Sequence, residues 1–334
     1  MTLSNAVTGE EDIIQTYLAP LAAGMAGAFG LKDDCATAAP SPGYEFVLKT
    51  DAIASGVHFL PEDHPSDIGW KALAVNVSDL AAKGARPYGY LLSLSFPQAP
   101  TRDWMSEFAR GLGEAQTAFG IGLLGGDTDR RPGPISITPA VFGEVPVGCL
   151  VRRGTAHPDD IVCVSGTLGD AGLGLALRQT PERARAWNLT PQQSDHLITR
   201  YVRPLPRMAL ASVIRAHARA SMDVSDGLLK DLGRMARASG VAAEIDFQRL
   251  PLSDAFRAVQ MVDTDATRKA LFAGDDYEIL CAIPPHHIEA TLKAAAQAHV
   301  ALTPVGSFKE GAGITLRDAN GTLMPLAPSG WDHF

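Results

Sequence analysis

Hydrophobic and polar positions along this chain switch repeatedly between a helical and an alternating period, and the switches lay out its elements. EDIIQTYLAPLAAG (11–24) has apolar residues at helical spacing broken by Pro20, so a short helix is expected before a glycine turn. YEFVLKT (44–50) reads as a strand running directly into Asp51. The spacing then predicts a long, largely buried helix with Ser66 as its N-cap, continuing through DIGWKALAVNVSDLAAKG to Gly84. YGYLLSLSF is a strand, Thr101 to Phe119 an amphipathic helix, IGLLGG a strand that delivers Asp127, and ISITPAVFGEV another strand.

At VGCLVRRGTAHPDD the pattern gives way to Gly, Arg and Pro, which marks a boundary between domains at 1–150 and 151–334. Beyond it IVCVSG is a strand and GTLGDAGLGLAL a glycine-rich turn into a helix. Helices are then expected near 206–218, 228–238, 265–272 and 286–298, between the strands SMDVSDG, AAEIDF and DYEILCAI, with further strands to the end. Strands mixed with helices in both halves indicate two α/β or α+β domains. No short-period repeat or low-complexity stretch interrupts them.

A length of 334 residues suits two cores better than one, since single cores stop growing near ~250 residues. The 29 Lys and Arg against 37 Asp and Glu leave a formal charge of −8, with no basic run, which disfavours nucleic acid or an anionic membrane as partner. The acidic start MTLSNAVTGEED does not read as a signal peptide, and no stretch approaches ~18 continuous apolar residues, so a cytoplasmic protein is expected. Cys35, Cys149, Cys163 and Cys281 form no C-x-x-C pair and are expected to be buried free thiols.

The informative polar residues are aspartates. Asp51 and Asp127 are expected at strand ends, Asp223 and Asp226 follow a short strand into Gly227, and Asp275 and Asp276 precede another strand; strand ends are where α/β folds gather ligands. Asn76, Asp79 and Lys83, spaced by three and four, share one face of an otherwise apolar helix. Each Asp alone suits a turn or a helix cap. As a converging set they need a cation, because two carboxylates ~4 Å apart repel by about 4 kcal/mol at an effective dielectric near 20. Hard oxygen ligands select Mg²⁺ or Ca²⁺ over zinc; with no EF-hand loop, Mg²⁺ with a phosphorylated ligand is favoured, and it lets an acidic protein accept an anion. Neither a Walker loop nor the H-R-D and D-F-G signatures of protein kinases is present. The run Gly166, Gly169, Gly172, Gly174 misses the strict dinucleotide pattern and reads as a helix N-terminus that approaches phosphate or packs on another domain.

Taken in order, KDDCA (32–36), KTDAIASGVHF (49–59), NVSDLAAKGARP (76–87), GGDT (125–128), RRG (152–154), DVSDGLLKDL (223–232), GDDYEI (274–279) and GWDHF (330–334) make the chain resemble the thiamine-monophosphate kinase family, collinearly from about Gly30 to Phe334. The resemblance implies the two-domain aminoimidazole ribonucleotide synthetase-like α/β (α+β) fold, with mixed sheets flanked by helices. It also implies a homodimer built through N-terminal domains that bind ATP and Mg²⁺, and Mg²⁺-dependent transfer of the γ-phosphoryl group of ATP to thiamine monophosphate. By motif position it places Asp34, Thr50, Asp51, Asp79, Asp127, Asp223 and Asp226 as metal ligands, with Asp51, Asp127 and Asp226 central to catalysis. Gly126, Asp127, Arg152 and Ser225 then hold ATP, and His58, Asp275 and Trp331 hold the substrate. Without that context His58 reads as a packed histidine, Arg152 as a solvated arginine and Trp331 as an anchor for the C-terminus.

The chain departs from the family pattern at Lys32, at Lys83, and at Gly172 and Leu173; the two lysines add charge near the acids, which bears on ion affinity. Other enzymes of the superfamily act on a purine precursor or on selenide. Cys35 within DDCA does not resemble the Cys–Lys arrangement expected for selenide chemistry. A nucleotide and metal sensor without turnover is the alternative of a different class, and ADP release with thiamine monophosphate discriminates it.

Overall fold

A computed structural model describes residues 5–318 and 321–323. The chain divides into two compact units, one of residues 1–80 and 86–148, the other of 81–85 and 149–334.

The first unit is built on a five-stranded sheet of β1 (Tyr44–Thr50), β2 (Ile53–Ala54), β3 (Arg86–Phe96), β4 (Gly122–Arg130) and β5 (Ser136–Pro146), in the order β1-β5-β3-β4 with β2 also on β5. Only β3 and β4 run parallel, and a helix supplies the crossover that parallel neighbours need. The helices are α1 (Glu10–Ile13), α2 (Pro65–Ala82) and α3 (Arg102–Phe119). After α1 the chain widens into a π turn (Ile14–Leu18) and then tightens into a 3₁₀ turn (Ala19–Ala22), with Pro20 in the first turn of the latter, so the helix expected over 11–24 is a series of short pieces.

Ser66 is not the cap of α2. The helix starts one residue earlier, at Pro65, whose fixed φ and missing N–H suit a first turn. The Ser66 amide donates instead to His64 Nδ1, at 3.3 Å. α3 begins one residue after the expected start, because Thr101 serves as its N-cap, accepting from the Trp104 amide at 3.2 Å, and Gly120 closes it with φ 67°. The two helices meet at glycines: a β-carbon on Gly69 would lie 2.4 Å from the Phe108 carbonyl, and one on Gly111 1.9 Å from that of Ser66. Asp127 is not at a strand end either. β3 offers ladder partners as far as Phe96, so β4 runs on to Arg130 and Asp127 sits within it, opposite Ser93.

The second unit carries a six-stranded sheet of β6 (Ile161–Ser165), β7 (Ala220–Val224), β8 (Ala242–Asp246), β9 (Glu278–Ile283), β10 (Leu302–Lys309) and β11 (Gly313–Arg317), in the order β11-β8-β10-β6-β9-β7. Its helices are α4 (Asp170–Gln179), α5 (Arg183–Ala186), α6 (Pro191–Val202), α7 (Ala211–His217), α8 (Leu228–Ser239), α9 (Asp254–Gln260), α10 (Thr264–Leu271) and α11 (Ile288–Gln297). The strands β6, β9 and the edge strand β7 are buried, with Val162, Val164, Met222, Val224, Leu280 and Ala282 in the main core.

α6 has a local signal that the sequence reading passed over. Thr190 and Gln193 form a reciprocal capping box around Pro191. Two of the four cysteines expected to be buried are exposed, Cys35 and Cys149; Cys163 and Cys281 are buried and face each other across β6 and β9.

The glycine run after β6 serves close internal contacts. The Gly169 amide donates to both carboxylate oxygens of Asp276 at 2.9 Å, so the N-terminus of α4 already holds a buried acid. A β-carbon on Gly174 would lie 2.0 Å from the Leu197 carbonyl, so this glycine lets α4 and α6 touch. Burial drives the Asp276 carboxyl well above its ordinary range, and the Gly169 amide and the Arg200 guanidinium only partly oppose this.

Candidate functional site

In the first unit one cavity of 730 Å³ gathers Asp34, Thr50, Gly126 and Asp127, four of the residues singled out by motif position. β1 brings Thr50 and β4 brings Gly126 and Asp127, while Asp34 comes from the loop that precedes β1. Thr50 is fixed through its hydroxyl, which donates to the Pro139 carbonyl at 2.9 Å. Gly126 is required by the sheet: a β-carbon there would sit 1.9 Å from the Leu92 carbonyl. The Asp127 side chain is thus carried on a rigid strand whose own neighbour cannot be enlarged.

Asp51 follows β1 directly and is clamped through its backbone. Its amide donates to Asn76 Oδ1 at 2.7 Å, and Asn76 Nδ2 donates to the Asp51 carbonyl at 3.1 Å and to that of Ala72 at 3.1 Å. Asn76, fully buried on α2, thereby ties the strand end to the helix. Three residues further along α2, Asp79 shares a cation with Asp51: Lys49 Nζ lies 2.7 Å from Asp79 Oδ2 and 2.9 Å from Asp51 Oδ2. Burial of Lys49 opposes its charge, but attraction to Asp79 and Asp51 outweighs this and holds the ammonium above its ordinary pKa. Lys49 was overlooked in the sequence, although its place two residues before Asp51 on a strand puts both on one face.

Lys83 does not share that face. It lies just beyond the end of α2, among the residues that pack with the second unit, and its ammonium donates to the Ser221 carbonyl at 2.5 Å. Lys32 is exposed next to Asp33 and Asp34. His58 closes a turn on β2, its Nδ1 accepting from the Ala54 amide at 3.1 Å, so the neutral ring carries its proton on Nε2.

In the second unit Asp223, Ser225, Asp226 and Asp275 come together where β7 passes into α8. Asp223 is buried within β7. The turn that follows is organised by Asp231 from the first turn of α8, whose Oδ2 accepts from the amides of Ser225 at 3.1 Å and Asp226 at 2.9 Å. Arg234 pairs with both Asp226 and Asp231. Burial raises the Asp231 carboxyl to about 6, opposed by the Asp226 amide and by Arg234.

The loop before β9 locks onto the same turn. The Asp275 amide donates to the Ser225 carbonyl at 2.9 Å and the Tyr277 amide to that of Val224 at 2.8 Å. Tyr277 Oη donates to Asp275 Oδ1 at 3.1 Å. Asp275 (φ 63°) and Tyr277 (φ 51°) both take the left-handed backbone, which non-glycine residues adopt at a cost, and Gly274 has no room for a β-carbon, which would lie 2.4 Å from the Ser225 carbonyl. Arg152 has an exposed side chain, and its carbonyl accepts from the Ser221 amide at 3.3 Å, beside β7. Trp331 lies outside the described residues.

The donors gathered in each unit are carboxylates and hydroxyls, the hard oxygen set that suits Mg²⁺. Among the described residues no three acidic, imidazole or thiol groups are close enough to enclose an ion by themselves.

Residues 32–145 match the N-terminal domain of the AIR synthase related proteins, and residues 157–319 match the C-terminal domain of the same class. Within that class the chain belongs to the thiamine-monophosphate kinase family. The thiamine-monophosphate kinase of Caulobacter vibrioides is 39% identical over 327 residues, which cover 97% of this chain and 90% of the relative. Among solved structures, the thiamine-monophosphate kinase of Stenotrophomonas maltophilia K279a is 40% identical, with a TM-score of 0.78 over 86% of this chain and 89% of that one. AaThiL complexed with AMPPCP and TMP is 33% identical, with a TM-score of 0.76 over 92% and 97%.

Proposed function

We propose that this chain catalyses Mg²⁺-dependent transfer of the γ-phosphoryl group of ATP directly to thiamine monophosphate, giving thiamine diphosphate and ADP. The observation that carries the reading is a cavity of the first unit, walled by Asp34, Thr50, Gly126 and Asp127 in a chain whose relatives bear this activity in their names. The relative solved with AMPPCP and TMP supports the same pair of ligands.

Attack of one phosphate oxygen on another phosphoryl group brings like charges together, so the work is positioning and neutralisation. Bound Mg²⁺ supplies that neutralisation and aligns the two phosphates. In the first unit Asp34, Thr50, Asp51, Asp79 and Asp127 would hold such an ion through oxygen, and in the second unit Asp223 and Asp226 would; Asp51, Asp127 and Asp226 are the residues on which turnover depends most. Gly126 and Asp127 hold ATP in the first unit, and Ser225 and Arg152 do so in the second. His58 offers an Nε2–H donor for a phosphate oxygen, while Asp275, fixed by Tyr277, faces the cationic part of the substrate. Trp331, outside the described residues, completes the substrate pocket by stacking. No general base is needed, because a phosphate monoester with a second pKa near ~6 is already largely ionised at neutral pH.

The enzyme works in the cytoplasm as a homodimer. Exposed apolar side chains on the first unit, Leu48, Leu91 and Val147, support the pairing of two copies, and no helix among the described residues is long and apolar enough to cross a membrane. Incubation with ATP, Mg²⁺ and thiamine monophosphate, followed by chromatography, should yield thiamine diphosphate and ADP in equal amounts. ATP binding without either product would establish the sensor alternative instead.

A further inference from the structure

The segment that carries Asp275 is gripped from two sides, by alternate residues. Asp275 and Tyr277 bond to the end of β7, their amides donating to the Ser225 and Val224 carbonyls at 2.9 and 2.8 Å. Asp276 and Glu278 bond elsewhere, and both are fully buried. Asp276 accepts from the Gly169 amide at the start of α4. Glu278, the first residue of β9, has its acceptor capacity filled. Its Oε1 accepts from Arg200 Nη2 at 2.8 Å and Arg207 Nη2 at 2.6 Å, and its Oε2 from Arg207 Nε at 2.7 Å and Ser165 Oγ at 2.6 Å. Arg200 Nη2 donates also to the Asp276 carbonyl at 2.8 Å, so one guanidinium holds both buried residues.

Fold stability alone gives little reason for this network. A buried ion pair recovers little beyond its own desolvation, and apolar side chains of similar volume often serve a core as well. What two guanidiniums supply is direction. Arg207 meets Glu278 as a two-pronged fork, whose planar geometry fixes the carboxylate it binds. The backbone just before Glu278 is where direction is needed. Asp275 (φ 63°) and Tyr277 (φ 51°) are left-handed, a conformation that side-chain-bearing residues keep only when their surroundings over-determine it. The Arg200–Arg207 clamp at Glu278 and the β7 carbonyls at Asp275 and Tyr277 supply that constraint. Between them, Tyr277 Oη fixes the Asp275 carboxylate at 3.1 Å.

We infer that Arg207 and Arg200 are positioning residues for substrate recognition: by clamping Glu278 they hold the left-handed Asp275–Tyr277 backbone, and with it the direction in which Asp275 meets the cationic part of the phosphate acceptor. They act through Asp275 and not by contact with the substrate. The inference rests on the reading of Asp275 as a substrate residue and deepens it.

The test uses the full chain and two readouts. Arg207→Met is the variant of choice, because Glu278 keeps Arg200 and Ser165 as partners and its charge stays compensated. The KM for thiamine monophosphate should rise about tenfold, the lower end of what losing an outer partner costs at a metal site. The KM for ATP and kcat should hold, as expected when only ground-state binding of one substrate is weakened. Without substrate, hydrogen exchange followed by mass spectrometry should quicken in peptides spanning 274–278 and stay at the wild-type rate in β8 and β10. Arg207→Lys keeps the charge, loses the fork and covers the event that Arg207→Met does not fold; it should show the same split between the two KM values. A wild-type KM for thiamine monophosphate in the folded variant, or exchange that quickens equally throughout the second unit, would overturn the inference. Asp275→Asn separates it from the reading beneath it. A raised KM there with none in Arg207→Met overturns the positioning role alone, whereas a wild-type KM in Asp275→Asn removes Asp275 from the substrate site and the inference with it.

Discussion

Asp51 and Asp127 reach their positions by different means. Asp127 is carried on β4 beside a glycine that cannot be enlarged, whereas Asp51 depends on two backbone hydrogen bonds to one buried asparagine. Neither side chain is a structural keystone. Asp127 is exposed, and Asp51 contributes to the fold mainly through its backbone. Replacing either with Asn keeps size and removes charge, so turnover should fall at least ~10²-fold, the scale for one lost electrostatic stabiliser, with Tm little changed. Steady-state product formation at saturating Mg²⁺, beside a melting curve, checks this; near-normal turnover would remove the residue from the site.

At the scale of elements, the parallel pairing of β3 with β4 and the anchoring of the N-terminal turns are the two features most open to test. Gly126→Ala puts a methyl group against the Leu92 carbonyl, and backbone on the partner strand cannot move aside as a flexible side chain would. The expected outcome is a loss of about 1–3 kcal/mol of stability, read by denaturant unfolding, together with weakened ATP binding. The start of the chain is held by Asp12, which accepts from the Thr8 amide at 2.9 Å and pairs with Arg102 at 2.6 Å. The Thr8 amide is the main cause holding its carboxyl down at about 2; the slight burial cost acts against it, and Thr16, the Thr8 hydroxyl and Arg102 reinforce it. A depressed carboxyl pKa stabilises above the unfolded value of 3.8 and loses that contribution as pH falls toward 2. The Tm difference between wild type and Asp12→Asn should therefore be constant at neutral pH and close between pH 4 and pH 2, as scanning calorimetry across that range can show.

At the scale of the whole molecule the governing quantity is charge. A net −8 combined with clustered acids repels a triphosphate, and no Walker lysine loop compensates. ATP affinity measured by calorimetry should accordingly fall at least tenfold in chelator and return with Mg²⁺. Unchanged affinity would mean that arginines such as Arg152 hold the nucleotide without metal. Lys49 neutralises only part of the excess, since one ammonium faces two carboxylates.

Periodicity alone located β1 to the residue, and it found α3 to within one residue and the alternation of strands and helices in both halves, because those elements are set by local spacing. The positions of the aspartates were legible only in part: Asp51 directly follows β1 as expected, whereas Asp127 lies within β4 and Asp223 within β7. What the sequence could not fix was every feature decided by a neighbour distant along the chain. β4 runs through Asp127 because β3 is long enough to pair with it; Gly169 donates to Asp276 and Gly174 lets α4 meet Leu197; Asp231 organises the Ser225–Asp226 turn from the following helix. Lys49 is the sharpest case. On the strand it is an unremarked lysine, and only the packing of α2, which brings Asp79 within 2.7 Å of its ammonium, turns it into a cation shared by two acids. Charge partners are chosen by proximity in space, and proximity between residues thirty positions apart is a property of the fold.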